Sequence, residues 1–232
     1  MAATPIDFRC RQKAPDEGIQ GEQNCGWRGT MRKKIAIIDY GLGNLRSVVR
    51  GIENGGGDAV ITSDAGEIAS ADGIVLPGVG AFREGMEQLG ALKETVIYAT
   101  RDVPLLGICL GMQMLMDASE EHGEHPGLGL IPGRVRKFPH MPGMKVPHMG
   151  WNTICLENRD SLLFDGLSTE ESVYFVHSYY ADTAPVYTLT TTRYICPFAS
   201  SIMKGDVYGV QFHPEKSGAT GLRLLKNFID LA

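Results

Sequence analysis

Short apolar runs alternate with stretches of helical periodicity through the middle of the chain. Residues 35–39 form one such run and predict a buried strand. Leu45, Val48, Val49 and Ile52 then recur at the spacing of one helix face, and Asn54-Gly55-Gly56-Gly57 stops that helix. Residues 59–61 and 73–76 predict two more strands, and residues 81–101 a helical stretch. Residues 105–108 predict a fourth strand, feeding a helix over about 110–118. The pattern then turns strand-like, at 134–138, 152–156, 172–176, 187–192 and 207–212. Leu222, Leu225, Phe228 and Ile229 mark one face of a closing helix. Strand–helix alternation followed by hairpins predicts an α/β fold, with a mixed, mostly parallel sheet flanked by helices on both sides.

Composition narrows this picture. The chain has 232 residues, 43% of them hydrophobic, and a formal charge of −5. That is enough chain for one domain with a real core. The mild acidity offers no electrostatic footprint for nucleic acid, and no apolar run approaches the ~18 residues of a membrane span. Five cysteines (Cys10, Cys25, Cys109, Cys155 and Cys196) without a C-x-x-C pair indicate neither a disulfide framework nor a metal site, which suits a reducing, cytoplasmic setting. Residues 1–30 stand apart: four acids, four bases, few aliphatics and no periodicity. They read as a disordered extension before a domain spanning 31–232, and their deletion is expected to leave folding and activity intact.

The candidate chemistry starts at Gly107-Ile-Cys109-Leu-Gly111, a G-x-C-x-G at a strand-to-helix junction. Such a sharp turn strains its central residue, small residues two positions either side relieve the crowding, and the middle side chain emerges at the carboxyl edge of the sheet. Backbone N–H groups at a helix start also favour a negative sulfur. Cys155 and Cys196 lack that setting and read as ordinary residues. A thiolate nucleophile needs a base, and the base an orienting group. His213-Pro-Glu215 follows the strand at 207–212, and on extended backbone His213 and Glu215 point the same way. Leu76-Pro-Gly-Val-Gly80 is a Gly-rich turn after a strand, able to offer an N–H from the Val79–Gly80 region to an oxyanion, with the N–H of Leu110 as a second donor. Tyr40-Gly-Leu-Gly43 begins like a dinucleotide fingerprint, but Arg46 stands where its third glycine belongs, and a bound cofactor is not expected.

These residues resemble the class I glutamine amidotransferases. Longer strings narrow the resemblance: Ile38-Asp-Tyr-Gly-Leu-Gly-Asn-Leu45, Leu76-Pro-Gly-Val-Gly-Ala-Phe82, Pro147-His-Met-Gly-Trp-Asn152, Tyr174-Phe-Val-His-Ser-Tyr179 and Gln211-Phe-His-Pro-Glu-Lys-Ser217. Together they are similar to the glutaminase subunits of imidazole glycerol phosphate synthase, from residue 33 to the C-terminus. The resemblance implies that Cys109 attacks the side-chain amide of glutamine, that His213 moves protons, and that Glu215 orients it. It implies that Gln113 and Glu121 grip the substrate, and that the backbone around His177 and Ser178 meets it. Helical geometry permits the first of these, since Gln113 lies one turn after Cys109.

The same resemblance implies a heterodimer. A (β/α)₈-barrel cyclase subunit would receive the ammonia and make imidazole glycerol phosphate and an aminoimidazole carboxamide ribotide in histidine biosynthesis. Trp151 and Met149, with nearby Met141 and Met144, would form an apolar interface patch, the alternative being ordinary core, and Lys216 would reach across to the partner. Low activity of the isolated subunit would follow from a peptide at Val79 that must turn its N–H toward the site. Two other readings stay open at this level: a paralogue feeding ammonia to a sugar-aminating enzyme, and a scaffold with a vestigial triad.

Overall fold

The computed structural model describes residues 32–158 and 161–232. The expectation for residues 1–30 therefore lies outside the described residues. The elements in chain order are β1 (Lys34–Ile38), α1 (Leu45–Asn54), β2 (Asp58–Thr62), α2 (Ala65–Ala69), β3 (Gly73–Gly78), α3 (Phe82–Leu89), α4 (Leu92–Ala99), β4 (Leu105–Cys109) and α5 (Leu110–Met114). There follow β5 (Met116–Ser119), β6 (His125–Pro126), β7 (Ile131–Lys137), β8 (His148–Leu156), β9 (Glu170–His177), β10 (Tyr179–Asp182), β11 (Thr188–Arg193), β12 (Pro197–Lys204), β13 (Val207–Val210) and α6 (Gly218–Leu231).

The main sheet runs β2-β1-β3-β4-β13-β12-β10-β7-β5-β6. Its first five strands are parallel, and this half carries the predicted α/β pattern. β3 and β4 are buried throughout because helices cover both faces, which is why they read as continuous apolar runs. Alternate side chains part to opposite sides. Ile35, Ile37, Val75, Leu106 and Ile108 pack with Val48 and Ile52 of α1 and Leu224, Leu225 and Phe228 of α6. Ile38, Ile74, Leu76 and Leu105 pack with Ile68 of α2, Phe82 and Met86 of α3 and Val96 of α4. Beyond β13 the sheet turns antiparallel through β12, β10 and β7, and β11, β8 and β9 branch from β12 as a second antiparallel ribbon.

Several elements depart from expectation. The helical stretch at 81–101 is two helices, parted at Gly90, whose φ of +46° no helix interior allows. The helix expected over 110–118 stops at Met114. N–H groups of Leu128, Leu130 and Ile131 reach back to the carbonyls of Met114 and Leu115, and Met116–Ser119 joins the sheet instead. In α6, Leu222 is exposed and Leu224 takes its place inside. β10, β12 and α2 had no legible signal. In β12 the buried positions include Ser200 and Ser201, whose hydroxyls are satisfied by Thr190 Oγ1 at 2.8 Å, so polar letters occupy core sites. No described helix is long and apolar enough to cross a membrane.

Candidate active site

β4 ends at Cys109 and α5 begins at Leu110, with no residue between. Cys109 takes φ 54° and ψ −107°, a conformation that costs a side-chain-bearing residue of order 1–3 kcal/mol. The flanking glycines make the bend feasible. A Cβ on Gly107 would lie 2.8 Å from the backbone of Gly111 and Met112, and one on Gly111 would lie 1.8 Å from the carbonyl oxygen of Leu76 in β3. The turn is thus clamped against the neighbouring strand, and the sulfur is fixed at the carboxyl edge of the parallel sheet. Cys109 is 7% exposed, and that exposure opens into a cavity of about 270 Å³.

His213 and Glu215 meet as expected, by a different local geometry. The strand ends at Val210, and Pro214–Lys216 is a single 3₁₀ turn rather than extended chain. Within that turn His213 Nδ1 lies 2.8 Å from Glu215 Oε1, with both side chains almost fully buried. Nδ1 therefore carries the proton it gives to the carboxylate, which leaves Nε2 to exchange protons. Nε2 is buried with no hydrogen-bond partner of ordinary geometry among the described residues, and the Cys109 sulfur acts on it. Burial pulls the His213 pKa down, but Cys109 and Glu215 push harder the other way and raise it from 6.5 to about 9.

The cavity gathers most of the remaining residues. It is lined by Val79, Gly80, Cys109, Leu110, Gln113, Glu121, Val176, His177, Ser178 and Tyr179, with Pro147. Gln113 is buried, and its amide nitrogen donates to the Tyr179 carbonyl and to Gln211 Oε1, both at 3.0 Å. Its carbonyl oxygen is then the atom left to receive a donor from a ligand. Glu121 is no free surface acid: Oε2 accepts from the Phe82 N–H at the start of α3, at 2.7 Å, which fixes the carboxylate on the cavity rim. Gly80 has φ +103°, suited only to glycine, and Gly78 has no room for a Cβ, which would lie 2.5 Å from the Tyr40 hydroxyl oxygen.

Three residues here escaped the sequence reading. Gln211 is fully buried and donates from Nε2 toward Cys109 Sγ at 3.6 Å. Tyr40 donates its hydroxyl to the Pro77 carbonyl at 2.7 Å, tying down the Gly-rich turn, and burial together with Cys109 raises its pKa. His148 pairs with His177, Nδ1 to Nε2, at 3.0 Å. Gln211 and His148 sit in the strings quoted above, but only long-range packing gives them a task.

The apolar patch is at the surface. Met149 and Trp151 of β8 are 63% and 59% exposed, so they are not core, whereas Met144 packs partly buried against it. Trp151 meets Tyr174 of β9 edge to face, and the exposed Lys216 holds its ammonium 6.0 Å from the Tyr174 ring centre.

Residues 36–231 match the family Glutamine amidotransferase class-I. The chain is 52% identical over 202 residues to the imidazole glycerol phosphate synthase subunit HisH of Methanosarcina barkeri, covering 86% of this chain and 99% of that one. It is 49% identical to the protein of the same name from Moorella thermoacetica, over 86% and 95% of the two chains. Among solved structures, PurLQS from Thermotoga maritima superposes with a TM-score of 0.66 at 18% identity, covering 86% of this chain and 99% of that one. The acivicin-bound glutaminase domain of Trypanosoma brucei CTPS superposes with a TM-score of 0.62 at 17% identity, covering 86% and 95%. These two likenesses speak for the fold alone. The cysteine elbow sits at the edge of a parallel sheet in a chain that one family matches along most of its length and that covers HisH relatives nearly end to end, so the chain belongs to the class I glutamine amidotransferases, among the HisH subunits of imidazole glycerol phosphate synthase.

Proposed function

We propose that this chain hydrolyses glutamine at Cys109 and hands the ammonia to a cyclase partner for imidazole glycerol phosphate synthesis. In the first half-reaction Sγ bonds to the side-chain amide carbon of glutamine. The oxyanion is held by the Leu110 N–H and by an N–H of the Val79–Gly80 segment. The C–N bond then breaks, with His213 Nε2 supplying the proton that lets nitrogen depart as ammonia and leaves a γ-glutamyl thioester. In the second half His213 takes a proton from water, hydroxide adds to the thioester, and the C–S bond breaks to give glutamate and regenerate the sulfur. Glu215 keeps the imidazole in one tautomer and supports its charged form. Gln113 and Glu121 hold the substrate, beside the backbone of His177 and Ser178.

The observation that carries this reading is the strained Cys109 facing one cavity with His213 behind it, its pKa raised to about 9. The exposed Met149, Trp151 and Lys216 support a partner surface on β8 and the turn at Pro214–Lys216. The relatives' name makes each of them one subunit of a synthase, and the partner we propose is the (β/α)₈-barrel cyclase subunit that the sequence resemblance implies, in a reducing cytoplasmic setting that suits the free thiols of Cys109, Cys155 and Cys196. Turnover without partner is expected to be weak, because the Val79 peptide turns its N–H inward only when the partner and its ligand bind; Gly78 and Gly80 on either side, the latter with positive φ, keep that rotation within reach of the binding energy. The test is a thiol-reactive glutamine analogue followed by peptide mass mapping. Labelling confined to Cys109 and blocked by glutamine is expected; labelling elsewhere, or none, contradicts the reading.

A further inference from the structure

A chain of side chains, half-buried at Asn152 and buried at His148 and His177, runs behind the cavity wall, and its hydrogen bonds have only one consistent direction. It begins at Asn152. That amide cannot be turned over, because Oδ1 accepts the Thr153 N–H at 2.8 Å while Nδ2 donates to the Arg193 carbonyl at 3.1 Å. The second hydrogen of Nδ2 points to His148 Nε2, 3.2 Å away, which must therefore accept. His148 then carries its proton on Nδ1 and donates it to His177 Nε2 at 3.0 Å. His177 in turn has its proton on Nδ1, which faces the Tyr179 carbonyl at 2.8 Å, a group that can only accept. The Tyr179 carbonyl at one end and the Asn152 amide at the other thus impose the same pair of tautomers. Both rings are neutral in this arrangement, since an extra proton on either Nε2 would confront a donor.

The far end of this chain is the substrate cavity. The Tyr179 carbonyl receives His177 Nδ1–H and Gln113 Nε2–H together, and Gln113 Nε2 also donates to Gln211, whose own amide donates toward Cys109 Sγ. His148 does not line the cavity. It stacks between Tyr194, with ring centres 4.0 Å apart, and Phe175 at 4.8 Å, and is 3% exposed. Burial lowers its pKa to about 4, and burial, with His148 and His213 adding to it, lowers that of His177 to about 3, so the neutral pair is the resting state.

We propose that His148 is a positioning residue: with Asn152 it fixes His177 as the Nδ1–H tautomer, and so holds the Tyr179 carbonyl and the Gln113 amide in the orientation that binds glutamine. The kinetic part of this inference rests on the glutaminase reading above; the tautomer part does not. In the full chain, ¹⁵N spectra of the histidine rings at pH 7 are expected to show His148 and His177 each protonated on Nδ1 alone. A proton on Nε2 of either ring overturns the proposal. In the reconstituted complex, His148→Leu is expected to lower kcat/KM for glutamine about tenfold, the worth of one buried hydrogen bond, chiefly through KM. His148→Asn, whose amide can present an N–H where Nδ1–H stood, is expected to recover most of that loss, and synthesis from ammonium salts stays unchanged in both. Wild-type kinetics in His148→Leu, or equal losses in the Leu and Asn variants, overturn it. If His148→Leu does not fold, the Asn variant is compared directly with wild type, and a loss of tenfold or more there counts against the proposal. Failure of the glutaminase reading would show instead as an inactive wild-type complex, with the ring tautomers as stated.

Discussion

Among single residues, two neighbours, the Glu215 carboxylate and the Cys109 sulfur, overcome the burial of one imidazole. His213 has its pKa raised from 6.5 to about 9 in the folded chain. The charged imidazole therefore adds stability that is complete below pH 6.5 and is lost as pH rises through about 9. Glu215→Gln removes one of the two groups that raise it. The His213 pKa, read by NMR, is expected to fall, glutamine turnover to drop by about 10²–10⁴, and the alkaline loss of stability to flatten; an unchanged pKa would mean that Glu215 does not orient this ring. His148 and His177 act with the opposite sign. Their folded pKa values are lowered to about 4 and about 3, so the domain keeps their contribution above pH 6.5 and loses it as pH falls toward 4. Urea unfolding at stepped pH is expected to show this acid slope, and His148→Phe to remove about one proton from it, or ~1.4 kcal/mol per pH unit.

At the scale of elements, the strand–turn–helix around Cys109 was legible because its constraint is local. Glycines two positions either side of a cysteine state a steric fact about a five-residue turn, and the structure repeats it as two forbidden Cβ positions. Gly111→Ala drives a methyl group into the Leu76 carbonyl and is expected to destabilise the fold by more than the ~1–3 kcal/mol of ordinary overpacking. A thermal unfolding midpoint within a few degrees of wild type would show that β3 and the elbow can part. The end of α5 was not legible, because the residues that take over its last carbonyls come from 128–131. Nor was β12, whose buried Ser200 and Ser201 pair with a threonine ten and eleven residues earlier. Gln211 and His148 fall to the same limit: their roles depend on partners 102 and 29 residues away, and periodicity carries no information over such separations.

Across the whole molecule, the Cys109 sulfur lies in the parallel half of the sheet, while the exposed Trp151 and Met149 lie on the β8–β9 ribbon. Trp151→Ala with Met149→Ala is expected to leave the isolated chain folded and to weaken assembly with the barrel subunit by ~30-fold or more, the effect of losing a buried aromatic anchor. Titration calorimetry measures it, and unaltered affinity would move the interface elsewhere. Ammonia is made in this chain and consumed in the partner, so the two activities are separable. The decisive variant is Cys109→Ala, reconstituted with a barrel subunit and assayed with each nitrogen source. Synthesis from glutamine should vanish while synthesis from added ammonium salts continues at the wild-type rate. Glutamine-dependent synthesis that survives the substitution, or the disappearance of both activities from a properly folded complex, would rule out Cys109 as the source of the ammonia.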